Sequence, residues 1–340
     1  MSLFESKRLG HMAPATKVLV YGFLGLWSFV VLFPLYWVLI TSFKLPIDVS
    51  GGPYYLPFID YMPSLHAWKY IFVDLGNDTF RPYMNSVIVA AFSTLLVMVA
   101  GSLAAYALSR FSFKPRLLTI GIFIAAVALT IVAVSFAVPW KIALAVGVAL
   151  AVIGAQAFRR APSPTLGNSD ILFWMISQRI FPPIVAALPI YVMFQQVHLL
   201  DTYYALILTY TTVNLPIVVW LMYDFFASVP RDLEESAELD GASKIRIFFE
   251  IIVPLAKPGL IATSLLVLIF SWNEYLLALF LSTAHAQTLP ILVAAQNATR
   301  GPQWWYMSVL IVIMILPVIF ITLFLQRFIA KGMLLGAVKG

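Results

Sequence analysis

The chain contains no cysteine and few charged residues. Asp, Glu, Lys and Arg make up 11% of its 340 residues, whereas a soluble domain carries about 25%. The absence of cysteine excludes disulfide bonds, thiolate metal ligands and a cysteine nucleophile. With 62% hydrophobic residues and a mean hydropathy of +0.94, the chain has more apolar surface than a soluble core can bury, which indicates a lipid environment.

The chain also lacks the sequence signatures of an enzyme. No G-x-x-x-x-G-K-[ST] phosphate-binding loop occurs, so this chain is not itself an ATPase. Its 4 histidines are scattered and predict no metal site, and no nucleophile–base pair is visible, so we predict no catalytic residue and no bound cofactor. In so apolar a chain, the net charge of +6 indicates anchoring at a membrane surface and not nucleic-acid binding.

Several apolar stretches are long enough to cross a bilayer, which takes about 20 residues in a helix. Lipid offers no hydrogen-bond partner to an exposed backbone, so we expect each span to be helical. The sequence therefore predicts an all-α polytopic membrane protein with about eight transmembrane helices. The predicted spans are 18–41, 84–109, 117–136, 140–158, 171–196, 203–223, 258–282 and 305–328.

The distribution of Lys and Arg predicts the orientation of these spans, because basic loops stay on the cytoplasmic side. The loops 42–83 and 283–304 are poor in base and are predicted to be periplasmic, with Lys141 as an exception on that side. Both termini are then cytoplasmic. The segments predicted on the cytoplasmic side are 1–17, 110–116, 159–160, 224–257 and 331–340.

Two of the stretches are not simple spans. The pair Pro182 and Pro183 predicts a kinked or interrupted helix within 171–196. The apolar stretch 117–158 is broken around Pro139 and fits either two spans or one span with a re-entrant piece. Each half is nearly long enough to cross alone, which favours a hairpin of two spans.

The segment 228–257 is a charged region between very apolar ones. Gly241 can supply the left-handed turn that ends a helix, and Ser243 can cap the next helix. Physical chemistry alone thus predicts two short helices and leaves open whether they lie on lipid or bind a protein. Apolar residues at helical spacing predict one stripe on the second helix, formed by Ile245, Phe248, Phe249 and Ile252.

The same segment carries a specific motif. It follows the pattern E-A-A-x3-G-x9-I-x-L-P, with Ser236 and Val253 as the only departures. Together with YALSRFSF at 106–113 and WNEY at 272–275, this motif resembles the MalG-type carbohydrate permeases among the binding-protein-dependent transport system inner membrane components. In that family the motif is the EAA loop, and we use this name for residues 228–257.

The resemblance implies the type I ABC-importer permease fold. Its usual six-helix core would here carry an additional helix pair. The implied organisation is a cytoplasmic N-terminus (1–17), a first transmembrane part (18–116), the inserted helix pair (117–168), the permease core (169–330) and a cytoplasmic tail (331–340). The residues implied to couple to the ATPase are Glu235, Ser236, Ala237, Asp240, Gly241, Ile251 and Pro254.

The resemblance also implies partners in a bacterial inner membrane. These are a second permease subunit, two ABC ATPase subunits that bind ATP and Mg, a periplasmic solute-binding protein and membrane lipid. The implied solute is a sugar, a polyol or a related compound such as a glycerol phosphate. A stand-alone secondary transporter and an ABC permease for a non-carbohydrate solute remain the alternatives.

Polar residues within spans are costly, so they are candidates for the substrate pathway. Hydrogen bonding between helices is the alternative explanation for each of them. The candidates are Trp272, Asn273, Glu274, Tyr275 and Asn214.

Overall fold

The computed structural model describes residues 14–297 and 301–337, which are mostly helical. Two π-helical turns, Tyr70–Asp74 and Phe248–Ile252, and a 3-10 turn, Gln178–Ile180, join α-helices. The α-helices of the described part, in chain order, are α1 (Pro14–Thr41), α2 (Pro46–Gly51), α3 (His66–Lys69), α4 (Gly76–Arg110), α5 (Leu117–Ser135), α6 (Trp140–Ala157), α7 (Asn168–Ser177), α8 (Pro183–Gln196), α9 (Tyr203–Ala227), α10 (Asp232–Leu239), α11 (Lys244–Ile247), α12 (Val253–Leu255), α13 (Lys257–Trp272), α14 (Leu276–Leu281), α15 (Leu289–Ala295) and α16 (Trp304–Ala337).

Within the described ranges, 6 helices are long and apolar enough to cross a membrane, namely α1, α4, α5, α6, α9 and α16. Two bent pairs raise this number to 8 if each pair is one span. One pair joins Asn168–Ile180 to Pro183–Gln196 at 91°, and the other joins Lys244–Leu255 to α13 at 80°. The all-α polytopic fold is confirmed, and so is the interruption that Pro182 and Pro183 predict.

The prediction of one continuous span over 258–282 is wrong. Helix α13 ends at Trp272, residues 273–275 are not helical, and α14 then begins at Leu276. The Glu274 carboxylate accepts a hydrogen bond from the backbone N–H of Leu277 at 2.9 Å. A polar side chain that bonds the local backbone in this way competes with the helix ladder, so it interrupts an otherwise apolar helix.

The helix that contains the second predicted span is longer than that span. Helix α4 begins at Gly76, well before residue 84, and includes Pro82. Hydropathy marks only the lipid-facing part of a helix, whereas the polar first turns of α4 extend beyond it.

The described residues divide into two compact units. The first unit contains residues 14–90, 190–206 and 272–324, and the second contains residues 91–189, 207–271 and 325–337. In the second unit α4 packs closely on α9, since a Cβ atom at Gly101 would lie 2.5 Å from Cγ1 of Val218. The core of this unit includes Val97, Tyr106, Val219, Met222, Phe226, Phe248 and Ile252.

Helices α5 and α6 form an antiparallel pair within the second unit. Gly147 of α6 lies against Thr130 of α5, and Gly154 lies against Ile122, so the two chains run in opposite directions. Only 6% of the α5 span and 11% of the α6 span are buried, against 50% for α9. The expected helix pair is therefore present, and most of its surface faces outward.

Candidate functional site

The first half of the EAA loop is helix α10 and the turn that ends it. Gly241 has φ +82°, and its N–H bonds the carbonyl of Glu238 at 3.0 Å. The N–H of Ala242 bonds the carbonyl of Ala237 at 2.9 Å. These two bonds and the positive φ form a Schellman motif, so the role expected for Gly241 as a helix terminator is confirmed.

The second half of the EAA loop begins at the predicted cap. The Ser243 hydroxyl accepts a hydrogen bond from the backbone N–H of Arg246 at 3.3 Å. The single apolar stripe predicted beyond it is wrong in part. Phe248 and Ile252 are buried, whereas Ile245 and Phe249 are 73% and 59% exposed. The π-helical turn at Phe248–Ile252 departs from the 3.6-residue period on which that prediction depended.

A buried ion pair fixes the EAA loop to the end of α4. The Glu234 carboxylate pairs with the guanidinium of Arg110 and accepts a hydrogen bond from the Tyr106 hydroxyl at 2.7 Å. The side chains of Arg110 and Glu234 are only 8% and 6% exposed. Arg110 also donates to the carbonyl of Val229 at 3.1 Å, so it joins both ends of the turn before α10.

The sequence did not identify this ion pair. Glu234 was one of several acidic residues at the start of α10, and Arg110 one of several basic residues in a loop. The two lie 124 positions apart, so only the fold shows that they meet. The nearest signal in the sequence is an arginine at the end of a span together with an acid directly before the EAA motif.

The predicted coupling residues lie mostly on the outer surface of the EAA loop. Two of them, Ala237 and Ile251, are partly buried and pack against the core of the second unit. Leu239 is the most exposed apolar side chain of α10, at 90%. The exposed coupling residues are Glu235, Ser236, Asp240, Gly241 and Pro254.

Four of the candidate pathway residues lie at the break between α13 and α14. Asn273 and Tyr275 are exposed, and Glu274 is partly buried with its carboxylate on the start of α14. Trp272 is buried, and its indole N–H donates to the carbonyl of Met314 at 3.0 Å. This indole is therefore part of the packing of the first unit in the described conformation.

Asn214 lies in the second unit, inside a polar cluster between helices. Its amide donates to the Ser271 hydroxyl at 3.3 Å, which joins α9 to α13. The Arg179 guanidinium donates to the carbonyl of Val213 at 3.3 Å and lies 5.1 Å from the ring of Phe270. Both side chains thus make the interhelical contacts that were the alternative explanation for intramembrane polar residues.

A second set of polar contacts, in the first unit, was not predicted. The Asp201 carboxylate accepts hydrogen bonds from the backbone N–H groups of residues 283–286 at 2.9–3.2 Å. Burial opposes ionisation of this carboxyl, but the N–H donors outweigh burial and hold its pKa below the ordinary value. We call residues 282–289 the amide-bonded loop.

Helix α4 holds the same loop from the other side. The Asn85 amide donates to the carbonyls of His285 and Gln287 at 2.9 and 2.8 Å. The Ser86 hydroxyl accepts from the N–H of Leu289 at 2.8 Å. The partners of Asp201, Asn85 and Ser86 are backbone atoms, so these contacts leave no signature in the sequence.

The comparisons with known proteins agree with this geometry. Residues 98–335 match the family described as binding-protein-dependent transport system inner membrane component. The chain is 29% identical over 340 residues to the sulfoquinovosyl glycerol transport system permease protein SmoH of Agrobacterium fabrum, covering 100% of this chain and 96% of SmoH. It is 29% identical over 318 residues to the trehalose/maltose transport system permease protein MalG of Thermococcus litoralis, covering 93% and 94% of the two chains.

A solved structure shows a similar fold. It is the crystal structure of a bacterial ABC transporter involved in the import of the acidic polysaccharide alginate, with a TM-score of 0.62 and 20% identity over 96% of this chain and 100% of that one. The family match covers more than half of the sequence and includes the whole EAA loop. The chain therefore belongs to the family of binding-protein-dependent transport system inner membrane components.

Proposed function

We propose that this chain is one permease subunit of an ATP-driven importer for a sugar, a polyol or a related carbohydrate. The solute class is supported by the names of similar proteins, which include permeases for trehalose and maltose and for sulfoquinovosyl glycerol. The partners in this proposal are a second permease subunit, two ATPase subunits that hold ATP and Mg, and a periplasmic solute-binding protein.

The observation that supports the proposal best is the outer surface of the EAA loop. Its outer surface combines exposed acidic side chains with exposed apolar ones, of which Leu239, Ile245 and Phe249 are the most exposed. Apolar side chains exposed outside the spans, within a charged segment, favour a protein contact. In the proposed complex this surface docks on one ATPase subunit.

The buried ion pair gives the loop a rigid connection to the spans. An interaction that moves α10 also moves Glu234, and through it Arg110 at the end of α4. Because α4 spans the membrane and packs on α9 at Gly101, a shift imposed on α10 reaches the membrane core through packed side chains. ATP binding by the partner would in this way bias the permease between two conformations.

The break between α13 and α14 supports a translocation role for residues 272–275. Irregular backbone at membrane depth is tolerated where it is packed in protein or lines a cavity. Asn273 and Tyr275 are exposed beside this break, so in the proposed importer they contact the solute. The packing of Trp272 gives it a supporting role beside them.

Docking of the EAA loop is tested by one exposed residue. We expect Leu239→Asp to abolish both ATP-dependent uptake and co-purification of a P-loop ATPase, because it places a charge in an apolar contact. The matched control is Ile59→Asp, since Ile59 is 78% exposed and lies in the opposite predicted loop. Uptake at the wild-type level by L239D, or uptake in liposomes without any ATPase subunit, would contradict the proposal.

The natural absence of cysteine makes the proposed orientation simple to test. A single cysteine introduced at exposed Ser228, at the start of the EAA loop, should react with a membrane-impermeant maleimide only in inside-out vesicles. A single cysteine at exposed Ser50, in the loop 42–83, should react only in right-side-out vesicles. The reverse pattern would place the EAA loop and both termini on the periplasmic side.

A further inference from the structure

The base of the helix pair α5–α6 carries a group of basic side chains. Lys114, Arg159 and Arg160 are exposed there, outside the spans. A fourth basic residue, Arg116, donates from its guanidinium to the backbone carbonyls of Phe158 and Arg159. Arg116 thus has a structural role, since it binds backbone atoms, whereas the other three cations are exposed at the surface.

Backbone hydrogen bonds bring the segments that bear these cations together. The N–H of Leu117 donates to the carbonyl of Pro164 at 2.9 Å, and the N–H of Leu166 donates to the carbonyl of Pro115 at 2.9 Å. The chain therefore enters and leaves the helix pair at the same place. Lys114 precedes the entry segment, and Arg159 and Arg160 begin the exit segment.

The positive charge of this group is not neutralised by neighbouring carboxylates. In the described part of the chain, the salt bridges are those of Arg110, Lys244 and Arg246. Asp170 is the acidic residue closest to the exit segment in the sequence, and its carboxylate accepts a hydrogen bond from the backbone N–H of Gly167 at the start of α7. Three exposed cations thus share a short stretch of surface at the edge of the spans.

An apolar groove opens beside Lys114, one of these three cations. Its volume is about 510 Å³, which is within the range of ligand sites. Asn168 fixes the groove, because its amide donates to the carbonyls of Leu108 and Phe111 at 2.7 Å each and accepts from the N–H of Phe113 at 2.9 Å. The lining residues are Ala104, Ala107, Leu108, Phe113, Lys114, Pro115 and Ile171.

We propose that this groove binds an anionic phospholipid. One acyl chain lies along the small apolar side chains of α4, and the phosphate lies against Lys114, Arg159 and Arg160. Basic pockets between transmembrane helices, at the level of the headgroups, bind anionic lipids because charge attraction and acyl-chain burial act together. The occupant is a lipid and not a free phosphate, because every lining residue except Lys114 is apolar.

The test uses native mass spectrometry of the full-length chain, purified with the subunits that accompany it and stripped of lipid by detergent exchange. Phosphatidylglycerol and phosphatidylcholine of the same acyl composition are then titrated in. We expect a preference for phosphatidylglycerol that falls by about tenfold or more in the variant K114Q/R159Q/R160Q, because each cation near an anionic lipid contributes about 1 kcal/mol. Equal binding of the two lipids by the wild type would overturn the proposal.

The control variant K69Q/R81Q/K141Q removes the same number of exposed cations from elsewhere on the chain and should retain the preference. Ala107→Phe fills the groove without changing charge, and it should weaken binding of both lipids. Unchanged binding by A107F would contradict the role of the groove. Displacement of the lipid by glycerol phosphate alone would show a phosphate site in its place. If the triple variant does not fold, Arg160→Gln alone is measured instead, and it should lose part of the preference for phosphatidylglycerol.

Discussion

The EAA loop and the amide-bonded loop are both held by polar side chains, but in different ways. The EAA loop depends on one buried charge pair between side chains, Glu234 and Arg110. The amide-bonded loop depends on the carboxylate of Asp201 and the side chains of Asn85 and Ser86, all of which bond backbone atoms. A pair of side chains can be broken from either end, whereas a loop bound through its backbone depends only on the side chains that bind it.

The difference has a consequence for motion. The four N–H donors of residues 283–286 fix the local backbone conformation itself, so the amide-bonded loop is rigid around Asp201. The Glu234–Arg110 pair fixes only one point of α10 and leaves its outer surface open to a partner. The amide-bonded loop is thus held along its backbone, and the open outer surface of α10 supports the transmitting role that we propose for the EAA loop.

The largest expected effect is from Glu234→Ala. Removing one partner of a buried ion pair leaves the other charge unpaired, which costs about 3–5 kcal/mol of the free energy of unfolding. Equilibrium unfolding in mixed micelles measures this loss. The double variant R110L/E234L removes both charges and should be more stable than E234A. A double variant as unstable as E234A would mean that packing, and not charge, holds the EAA loop.

Asp201→Ala is expected to have the next largest effect. Hydrogen bonds to a charged group contribute about 1.5–3 kcal/mol, and we expect a loss within that range because the N–H groups regain water in part. The same unfolding measurement applies. Asp60 is the control, since its carboxylate accepts from only two backbone N–H groups, those of Tyr55 and Leu56, and is exposed. A loss in D60A equal to that in D201A would remove the distinction between a partly buried acceptor with four N–H donors and an exposed acceptor with two.

The lowered pKa of Asp201 adds a pH dependence to this comparison. The carboxyl is more acidic in the folded state than in the unfolded state, where an Asp pKa is about 3.9. Its contribution to stability is therefore fully present above that value and is lost as the pH falls toward the folded pKa. The stability of Asp201→Asn should accordingly fall less between pH 5 and pH 3 than that of the wild type. Parallel curves would show that Asp201 is not stabilised in its charged form.

Gly241→Ala tests the turn that directs the EAA loop. A Cβ atom at this position meets nothing within 4 Å, so the cost is conformational and arises from φ +82°. A left-handed conformation costs a residue other than glycine about 1–2 kcal/mol. Gly76→Ala is the control, because that site is equally open and has no positive φ. Equal stability of the two variants would mean that the Schellman turn is not required.

Much of the fold was predictable because its causes are local in the sequence. The length of the apolar runs identifies α5 and α6. Pro182 and Pro183 interrupt the predicted span 171–196, and Gly241 ends α10. The break at residues 273–275 was not predicted, because it depends on where the Glu274 carboxylate finds a donor.

The candidate site also has a part that the sequence predicts and a part that it does not. The EAA motif marks the outer residues of the loop, since a short spacing in the chain defines them. The contacts that hold the loop join residues more than a hundred positions apart, as Tyr106 and Glu234 do. The sequence of a single chain carries no local sign of such pairs, so only the fold reveals which charges are structural.

The smallest expected effect comes from Glu238→Gln. This variant compares an exposed ion pair with a buried one on the same helix, α10. Glu238 pairs with Lys244, but the two side chains are 41% and 52% exposed, in contrast to the buried Glu234. Exposed ion pairs contribute about 0–1 kcal/mol because water and salt screen them. E238Q should therefore unfold within that margin of the wild type, and raising the salt concentration should reduce the difference further. If E238Q lost as much stability as E234A, burial would not be what distinguishes the two acids, and the anchoring role of Glu234 would no longer follow from its position.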